Sequence, residues 1–242
     1  MKTAVIVQAR MTSTRLPGKV LADLGGRPAL AQQLRRLSSM KEANEIVVAT
    51  TTLPTDDPVE ALAGRENVRC FRGDEQNVLS RYIGAAREAR ADVVVRITAD
   101  CPLIDPAESD RVVRVLKDTD GVDYASNGIR RTFPRGLDTE AFHREVLERV
   151  FRLGTSAEAK EHVTWFIHRE RPDLFTIRSV EDATDNSDLR WTVDTPDDLA
   201  MVRRIYDDLG LNDHLLPYRE ILAHVRAHPD IAAINAHVKQ KA

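Results

Sequence analysis

The chain contains 242 residues, of which 30% are charged, and it carries a formal net charge of -3 at pH 7. This length suits one large α/β domain, predicted to span 1–242, and the charge balance offers no basic field for nucleic acid or an anionic membrane surface. No apolar run approaches the roughly 20 residues that cross a bilayer, and Cys70 and Cys101 form no Cys-x-x-Cys motif. We therefore expect a cytoplasmic protein with reduced thiols and with neither nucleic-acid nor membrane partners.

The first part of the chain alternates short β-branched runs with amphipathic stretches. Because the runs are continuously apolar, they are typical of parallel strands covered on both faces, and we place them at 4–7, 45–50, 68–71 and 92–97. The stretches between them predict helices at 28–38, 57–62 and 77–89. This order predicts a doubly wound, mostly parallel sheet, in which ligands bind beyond the carboxyl ends of the strands.

The pattern loosens after Asn127, where glycines, prolines and charges interrupt it. We predict two helices, at 139–153 and 157–169, and extended segments at 175–178 and 189–193. A further helix is expected at 196–209, because Thr195 is a favourable N-cap and Pro196 a favourable first residue, and another helix is expected from Leu215. We interpret 128–190 as an insertion that forms a lid over an acceptor.

The loop after the first predicted strand carries three cations, Arg10, Arg15 and Lys19. Cations and small residues at this spacing favour polyphosphate binding, because they supply charge-assisted hydrogen bonds and close backbone approach. The loop is neither a Walker loop nor a Gly-x-Gly-x-x-Gly turn. A solvated surface loop remains the competing interpretation.

Two aspartates occupy positions suited to a divalent cation that neutralises a triphosphate. Asp100 directly follows the fourth predicted strand, and Asp194 lies between a strand-like run and a capped helix. The competing interpretation is that each aspartate only begins a helix, although Asp105 is better placed than Asp100 for that purpose.

Seven segments recur in the order found in a known family. They are Ala9-Arg10 with Ser13-Thr-Arg-Leu-Pro-Gly-Lys19, Phe71-Arg-Gly-Asp-Glu75, Asn77-Val-Leu-Ser-Arg-Tyr82, Arg96-Ile-Thr-Ala-Asp-Cys-Pro-Leu-Ile-Asp105, Pro134-Arg-Gly-Leu-Asp-Thr-Glu140, Glu161-His-Val-Thr164 and Arg190-Trp-Thr-Val-Asp-Thr-Pro-Asp-Asp-Leu199. Together they cover roughly 1–205, and the ordered set is more specific than any one segment. The chain resembles the cytidylyltransferases of the CMP-Kdo and CMP-acylneuraminate synthetase family, and especially their relatives in spore-coat polysaccharide biosynthesis.

The resemblance implies a Rossmann-like nucleotidyltransferase fold, a homodimer with an arm within 128–190, CTP as substrate and Mg²⁺ as cofactor. It implies that Asp100 and Asp194 bind the metal ion, and that Arg15 and Lys19 stabilise the leaving pyrophosphate. The remaining nucleotide-binding positions that it implies are Ala9, through its backbone, Arg10 and Arg72. Members often have an acidic residue where this chain has Cys101, so the number of metal ions stays open.

The resemblance also assigns acceptor-binding positions to Asp138, Glu140 and His162. The first two equally suit a helix start. For the histidine the competing interpretation is an exposed helical residue, since a lone histidine is more often structural and only its place in the family pattern favours a site role. A nearby group of arginines would suit either an acceptor carboxylate or a solvated loop. These arginines are Arg130, Arg131 and Arg135.

The expected reaction is attack by a hydroxyl of a sugar or sugar acid on the α-phosphorus of CTP, with release of pyrophosphate, in surface polysaccharide or glycoconjugate synthesis. Three alternatives stay open. A nucleotide-sugar-dependent glycosyltransferase would normally carry Asp-x-Asp after a strand, which neither Asp100 nor Asp194 begins. Transfer to a phosphonate or polyol phosphate and a non-catalytic nucleotide-binding module are the other two.

Overall fold

The computed structural model describes residues 1–240, and its central feature is a seven-stranded sheet. The strands of this sheet are β1 (Thr3–Gln8), β4 (Glu45–Thr51), β5 (Arg69–Gly73), β6 (Val93–Thr98), β7 (Tyr124–Ser126), β8 (Glu140–His143) and β9 (Ile177–Ser179). A small separate hairpin consists of β2 (Asp23–Leu24) and β3 (Arg27–Pro28). The order across the main sheet is β5-β4-β1-β6-β8-β7-β9. The first four strands in this order are parallel, whereas β8 runs antiparallel to both of its neighbours.

The central strand β1 is buried on both faces, and this explains its uninterrupted apolar sequence. Val5 and Val7 pack into one core, beneath the helices that carry Leu34 and Val112. Ile6 packs into the opposite core, with Tyr82 among its neighbours. Successive strand residues point to opposite faces of a sheet, so a strand with helices on both sides needs apolar residues at every position. The predicted doubly wound α/β fold is confirmed.

The helices of the first part of the chain agree with the predicted pattern. The three expected helices are α1 (Ala29–Leu37), α2 (Asp57–Arg65) and α3 (Val78–Glu88), and α4 (Pro106–Asp118) follows β6. Asp105 caps α4 by accepting a hydrogen bond from the Glu108 N–H at 2.9 Å. Asp100 therefore does not serve as the cap of this helix.

Two helix predictions in the second part of the chain were wrong. The segment predicted as a helix at 139–153 begins with β8, and α5 occupies only Arg144–Leu153. Ala141 and Phe142 are buried within the sheet, where pairing with both β6 and β7 outweighs local helical periodicity.

The segment predicted as a helix at 157–169 is interrupted. It contains α6 (Ala157–His162) and a π-helical turn (Phe166–Glu170), separated at Val163, whose φ is 49°. That conformation is unfavourable for a β-branched residue and ends α6. The predicted extended segment near 175 is β9, whereas 189–193 forms a single bridge, Arg135 to Arg190. Thus 128–190 supplies two strands, β8 and β9, to the main sheet.

The C-terminal part packs as a third core. Its helices are α7 (Pro196–Leu209), α8 (Tyr218–Ala227) and α9 (Pro229–Ala233). Thr195 caps α7 as predicted, and with Asp198 it forms a reciprocal capping box. Trp191 and Phe133 pack with these helices, so this core joins the C-terminal helices to the segments at 133–137 and 189–193. No helix within residues 1–240 combines the length and the apolarity needed to cross a membrane.

The sheet reverses its winding between β1 and β6. From β1 the chain proceeds outward to β4 and β5, and it then returns to place β6 on the other side of β1. The loops that follow these two adjacent strands are joined by a hydrogen bond from the Ala99 N–H to the Gln8 carbonyl, 3.0 Å long. A crevice therefore opens at the topological switch point.

Gly136 allows the 134–138 turn to lie directly against the 190–192 backbone. Its φ is 107°, and a Cβ atom there would lie 2.7 Å from the Trp191 carbonyl carbon. Two hydrogen bonds hold the same contact, from the Arg135 N–H to Leu189 and from the Trp191 N–H to Arg135. This close approach places Asp138 and Asp194 around one cleft.

We predict that Gly136→Ala lowers the free energy of unfolding by about 1–3 kcal/mol, because the new methyl group meets backbone atoms that cannot rotate away. Urea denaturation would measure this change. Gly121→Ala is the matched control, since Gly121 also has a positive φ, of 71°, but nothing lies within 4 Å of the position that its new methyl group would take. Equal losses for the two variants would contradict the proposed backbone contact.

Candidate active site

Lys19 joins the two predicted metal-binding aspartates at the crevice. Its Nζ lies 3.1 Å from Asp100 Oδ2 and 2.7 Å from Asp194 Oδ1, and its side chain is only 13% exposed. Gly18, with φ 72°, precedes a 3₁₀ turn at Lys19–Leu21 that directs this lysine inward. Burial lowers the pKa of Lys19, but the two carboxylates raise it further, so the net shift is upward and the ammonium stays charged.

Asp194 is surrounded by three cations. Besides Lys19, Arg15 Nη2 lies 3.0 Å from Asp194 Oδ2, and Arg190 Nη2 lies 2.6 Å from the same oxygen. Burial raises the pKa of Asp194, yet these cations outweigh it and hold the pKa below the ordinary value. The Val193 N–H also donates to the Asp100 carbonyl at 2.8 Å. The backbone thereby ties the two aspartates together.

The cation loop lines a cleft of about 230 Å³ that also includes Asp100 and Asp194. Arg10 lies at its exposed rim, 4.0 Å from Glu75. The Ala9 N–H donates to the Ala49 carbonyl and is thus used by the sheet. Further along the loop, the amides of Thr12, Thr14 and Arg15 find no acceptor within residues 1–240, so they are available to an anion.

Arg72 does not join this cluster. Its guanidinium pairs with Asp57 at 2.7 Å and Glu60 at 2.6 Å, and it donates to the Thr51 and Leu53 carbonyls. These contacts fix the loop between β4 and α2, which is consistent with a structural role. Nucleotide binding by Arg72 stays a prediction.

A second cleft, of about 210 Å³, shares Thr98, Asp100 and Asp194 with the first and contains Asp138 and Glu140. Both of these predicted acceptor residues are ion-paired, Asp138 with Arg131 and Glu140 with Arg96. Glu140 also accepts hydrogen bonds from Tyr124, at 2.9 Å, and Thr164. Glu140 therefore binds three elements together, and it begins β8 rather than a helix.

His162 lies apart from this second cleft. It is exposed and lines a separate hollow of about 140 Å³ with Ala9, Arg10 and Arg81. Of the three loop arginines considered as a carboxylate site, Arg130 is 78% exposed and Arg131 is paired with Asp138. Arg135 lines the second cleft, and burial together with the nearby positive charge of Arg131 lowers its pKa.

Sequence reasoning missed Arg190 and Asp198 as functional candidates. Both lie within the segment that resembles the family, and Asp198 is also an ordinary first-turn acid of the helix after Thr195. Only the folded chain shows that Arg190 contacts both Asp194 and Asp198. The spacing of one cation and two carboxylates at i, i+4 and i+8, Arg190, Asp194 and Asp198, is the one signal that would have drawn attention to them.

A larger cavity lies elsewhere. It has a volume of about 530 Å³ and lies behind Arg190, against α8 and α9, with Trp191 and Val225 in its lining. It includes neither Lys19 nor Asp100. The two smaller clefts contain the convergent charged groups that catalysis requires. We therefore place the candidate active site there rather than in the larger cavity.

The chemistry of the donors fits a divalent metal ion. The carboxylates of Asp100 and Asp194 approach a common point, and carboxylate oxygens are the ligands that Mg²⁺ prefers. No cluster of three or more His, Cys, Asp or Glu side chains suitable for a metal occurs in the described part of the chain. Two carboxylates are sufficient for Mg²⁺, because substrate phosphates and water commonly complete its coordination. Lys19 contacts the same oxygens and would have to move.

A mostly parallel sheet with a cation loop and two carboxylates at its switch point defines an α/β nucleotidyltransferase. The family model described as cytidylyltransferase matches residues 4–208, and the chain belongs to this family.

Known relatives extend over almost the whole chain. A cytidylyltransferase structure from Leptospira borgpetersenii is similar with a TM-score of 0.91 and 32% identity, over 96% of this chain and 97% of that one. The spore coat polysaccharide biosynthesis protein SpsF of Bacillus subtilis is 31% identical, over 94% of this chain and 95% of its own length. A Methanocaldococcus jannaschii protein, named as uncharacterized, is 34% identical over 100% of this chain and 97% of its own.

We predict that Arg131→Gln raises the pKa of Asp138. Burial raises this pKa, but the charge and hydrogen bond of Arg131 outweigh it and hold the pKa below its ordinary value. The ionised form therefore stabilises the fold above the unfolded pKa, and this stabilisation is lost as the pH falls through the lower folded pKa. NMR titration of the carboxyl carbon would measure the shift.

Arg130→Gln is the control for this titration, because Arg130 is largely exposed and lies 3.8 Å from Glu181 rather than beside Asp138. Its replacement is expected to leave the Asp138 pKa unchanged. An unaltered Asp138 pKa in Arg131→Gln would show that the ion pair does not control this carboxyl group.

Proposed function

We propose that this enzyme transfers CMP from CTP, in a Mg²⁺-dependent reaction, to a hydroxyl of a sugar or sugar acid and releases pyrophosphate. The observation that carries the proposal is the contact of Lys19 with both Asp100 and Asp194, beside a loop with backbone amides that find no acceptor among residues 1–240. This arrangement provides cations for a triphosphate and carboxylates for a divalent cation in the same crevice. The similarity to a spore-coat polysaccharide protein supports a role in surface polysaccharide or glycoconjugate precursor synthesis.

In the proposed complex, Lys19 and Arg15 turn from carboxylate oxygens toward the phosphates. This exchange replaces one set of charge-assisted hydrogen bonds with another, so the cations remain paired throughout. Arg10, at the exposed rim, is placed to attract the same anion. When the phosphates leave as pyrophosphate, Lys19 and Arg15 stabilise the increased negative charge on the leaving group.

The proposed contribution of Mg²⁺ is charge neutralisation. Asp100 and Asp194 would hold Mg²⁺, which when bound would supply charge neutralisation at the phosphates and so lower the barrier to attack on the α-phosphorus. Thr98 Oγ1 donates to Asp100 Oδ1 at 2.5 Å and leaves Oδ2 directed toward the crevice. The residues of this chain thus orient the carboxylate before any ligand binds.

The acceptor is proposed to enter the second cleft, next to Asp100 and Asp194. Asp138 is the carboxylate best placed to accept hydrogen bonds from acceptor hydroxyls, because Glu140 is already engaged by three side chains. The clefts communicate through shared residues, so a hydroxyl in the second cleft can approach a phosphate in the first. Positioning of this kind accounts for much of the rate in phosphoryl transfer.

We predict that CTP with Mg²⁺ raises the thermal unfolding temperature more than UTP, ATP, GTP or a UDP-sugar, because a ligand that binds only the folded state stabilises it. Lys19→Ala should weaken CTP affinity roughly tenfold or more, as expected for a lost hydrogen bond to a charged group. Lys117→Ala is the matched control, since Lys117 pairs with Glu42 at 2.9 Å outside both clefts. Selectivity for a UDP-sugar would favour the glycosyltransferase alternative instead.

We predict that Asp100→Asn lowers turnover by at least about 100-fold while the chain remains folded, because loss of one metal carboxylate removes several kcal/mol of charge stabilisation. Pyrophosphate release would be measured with a panel of sugars, sugar acids, polyol phosphates and phosphonates. Asp110→Asn is the control, because Asp110 is a buried aspartate that binds the Lys41 and Glu42 amides away from the clefts. Normal turnover by folded Asp100→Asn would remove Asp100 from the reaction.

A further inference from the structure

Asp194 is held by side chains that do not face the proposed phosphates. Arg190 is the first of them, with a side chain that is 8% exposed. Its Nη2 donates to Asp194 Oδ2 at 2.6 Å, and its Nε donates to Asp198 Oδ1 at 2.9 Å. A planar guanidinium can bind two carboxylates in fixed directions, which a lysine ammonium cannot do in the same way. Arg190 therefore fixes the angle between the two aspartates.

Asp198 holds the backbone of the same segment. Its side chain is fully buried, and Oδ2 accepts the N–H groups of Asp194 and Thr195, each at 3.0 Å. Asp194 is thus restrained at its main chain by Asp198 and at its carboxylate by Arg190. Restraint at both ends leaves Asp194 Oδ1 directed at Lys19.

The C-terminal segment completes this network. Asn235 Nδ2 donates to Asp198 Oδ1 at 2.8 Å and to the Arg190 carbonyl at 2.9 Å. Asn235 is itself buried, and it lies beyond α9, far along the chain from the cation loop. The segment after α9 therefore contributes to the geometry of a carboxylate in the crevice.

We propose that Arg190 and Asp198 are positioning residues for Asp194: they direct one carboxylate oxygen toward the metal ion and reserve the other for Arg190 and Arg15. This inference rests on the proposed function, because it assigns a purpose to the orientation of a proposed metal ligand. Partners of this kind typically change metal affinity or activity by 10–100-fold when they are removed.

A purely structural salt bridge is the competing explanation. Arg190 and Asp198 carry opposite charges, so replacing both with neutral amides leaves the net charge of the region unchanged and avoids an unpaired buried charge. Arg190 Nη2 lies 2.6 Å from the Asp194 carboxylate, whereas Asp198 contacts the Asp194 backbone N–H, so the paired replacement removes positive charge beside that carboxylate. This change in the local field alone favours a cation. Weaker metal binding by the double variant would therefore reflect the position of Asp194 rather than the field.

The test compares the wild type with the double variant Arg190→Gln/Asp198→Asn. Two dissociation constants are measured: that of CTP in EDTA, by calorimetry, and that of Mn²⁺ in the presence of saturating CTP, by electron paramagnetic resonance. We expect Mn²⁺ binding to weaken by about 10–100-fold and CTP binding without metal to change by less than about threefold. Arg226→Gln/Asp188→Asn is the matched control, because it removes a paired arginine and aspartate outside both clefts.

Each outcome separates the inference from the function on which it rests. If the wild type with CTP binds no Mn²⁺, the proposed metal-dependent function is overturned, and this inference is overturned with it. If the wild type binds Mn²⁺ and the folded double variant binds it equally well, only the positioning role is overturned. If the double variant fails to fold, Arg190→Lys serves as the test instead, because it keeps the charge but lacks the planar fork. This variant is also expected to bind Mn²⁺ more weakly than the wild type.

Discussion

The contact between Lys19 and the paired carboxylates of Asp100 and Asp194 is the interaction on which the site depends. Removing a charge from water is costly unless opposite charges and hydrogen bonds compensate it. Here Arg15 and Arg190 add positive charge at Asp194, while Asp198 adds negative charge at Arg190. The resulting network keeps several ionised groups in one crevice, where each is compensated by a neighbouring opposite charge.

The doubly wound sheet makes that convergence possible. Because β1 and β6 are adjacent and parallel, their carboxyl ends deliver the cation loop and Asp100 to the same edge. Asp194 arrives by another route, through the extended segment that precedes α7, and the backbone contact between Gly136 and Trp191 holds this segment beside the sheet. Three parts of the chain that are distant in sequence therefore meet at one edge of the sheet.

The antiparallel strand β8 supplies a charged side chain, Glu140, to the lining of the second cleft. Glu140 at its start is held by Arg96 of β6 and by Tyr124 of β7, so a charged side chain becomes part of the sheet edge. Burial and the neighbouring carboxylate both raise the pKa of Tyr124, which keeps its hydroxyl protonated and able to donate. The second cleft is consequently lined by paired charges on rigid strands, and this arrangement suits the recognition of a polar ligand more than of an apolar one.

The sequence by itself determined the α/β class, the four parallel strands and the capped helix after Thr195. It also identified the cation loop and, as separate candidates, Asp100 and Asp194. These features are local, because apolar runs, caps and motifs are written in neighbouring residues. Tertiary structure decided the rest: the strand at 140–143, the interruption at Val163, the remote placement of Arg72 and the network of Arg190, Asp198 and Asn235. Strand pairing and buried ion pairs join residues that lie far apart in the chain, and local periodicity carries no information about which of them will meet.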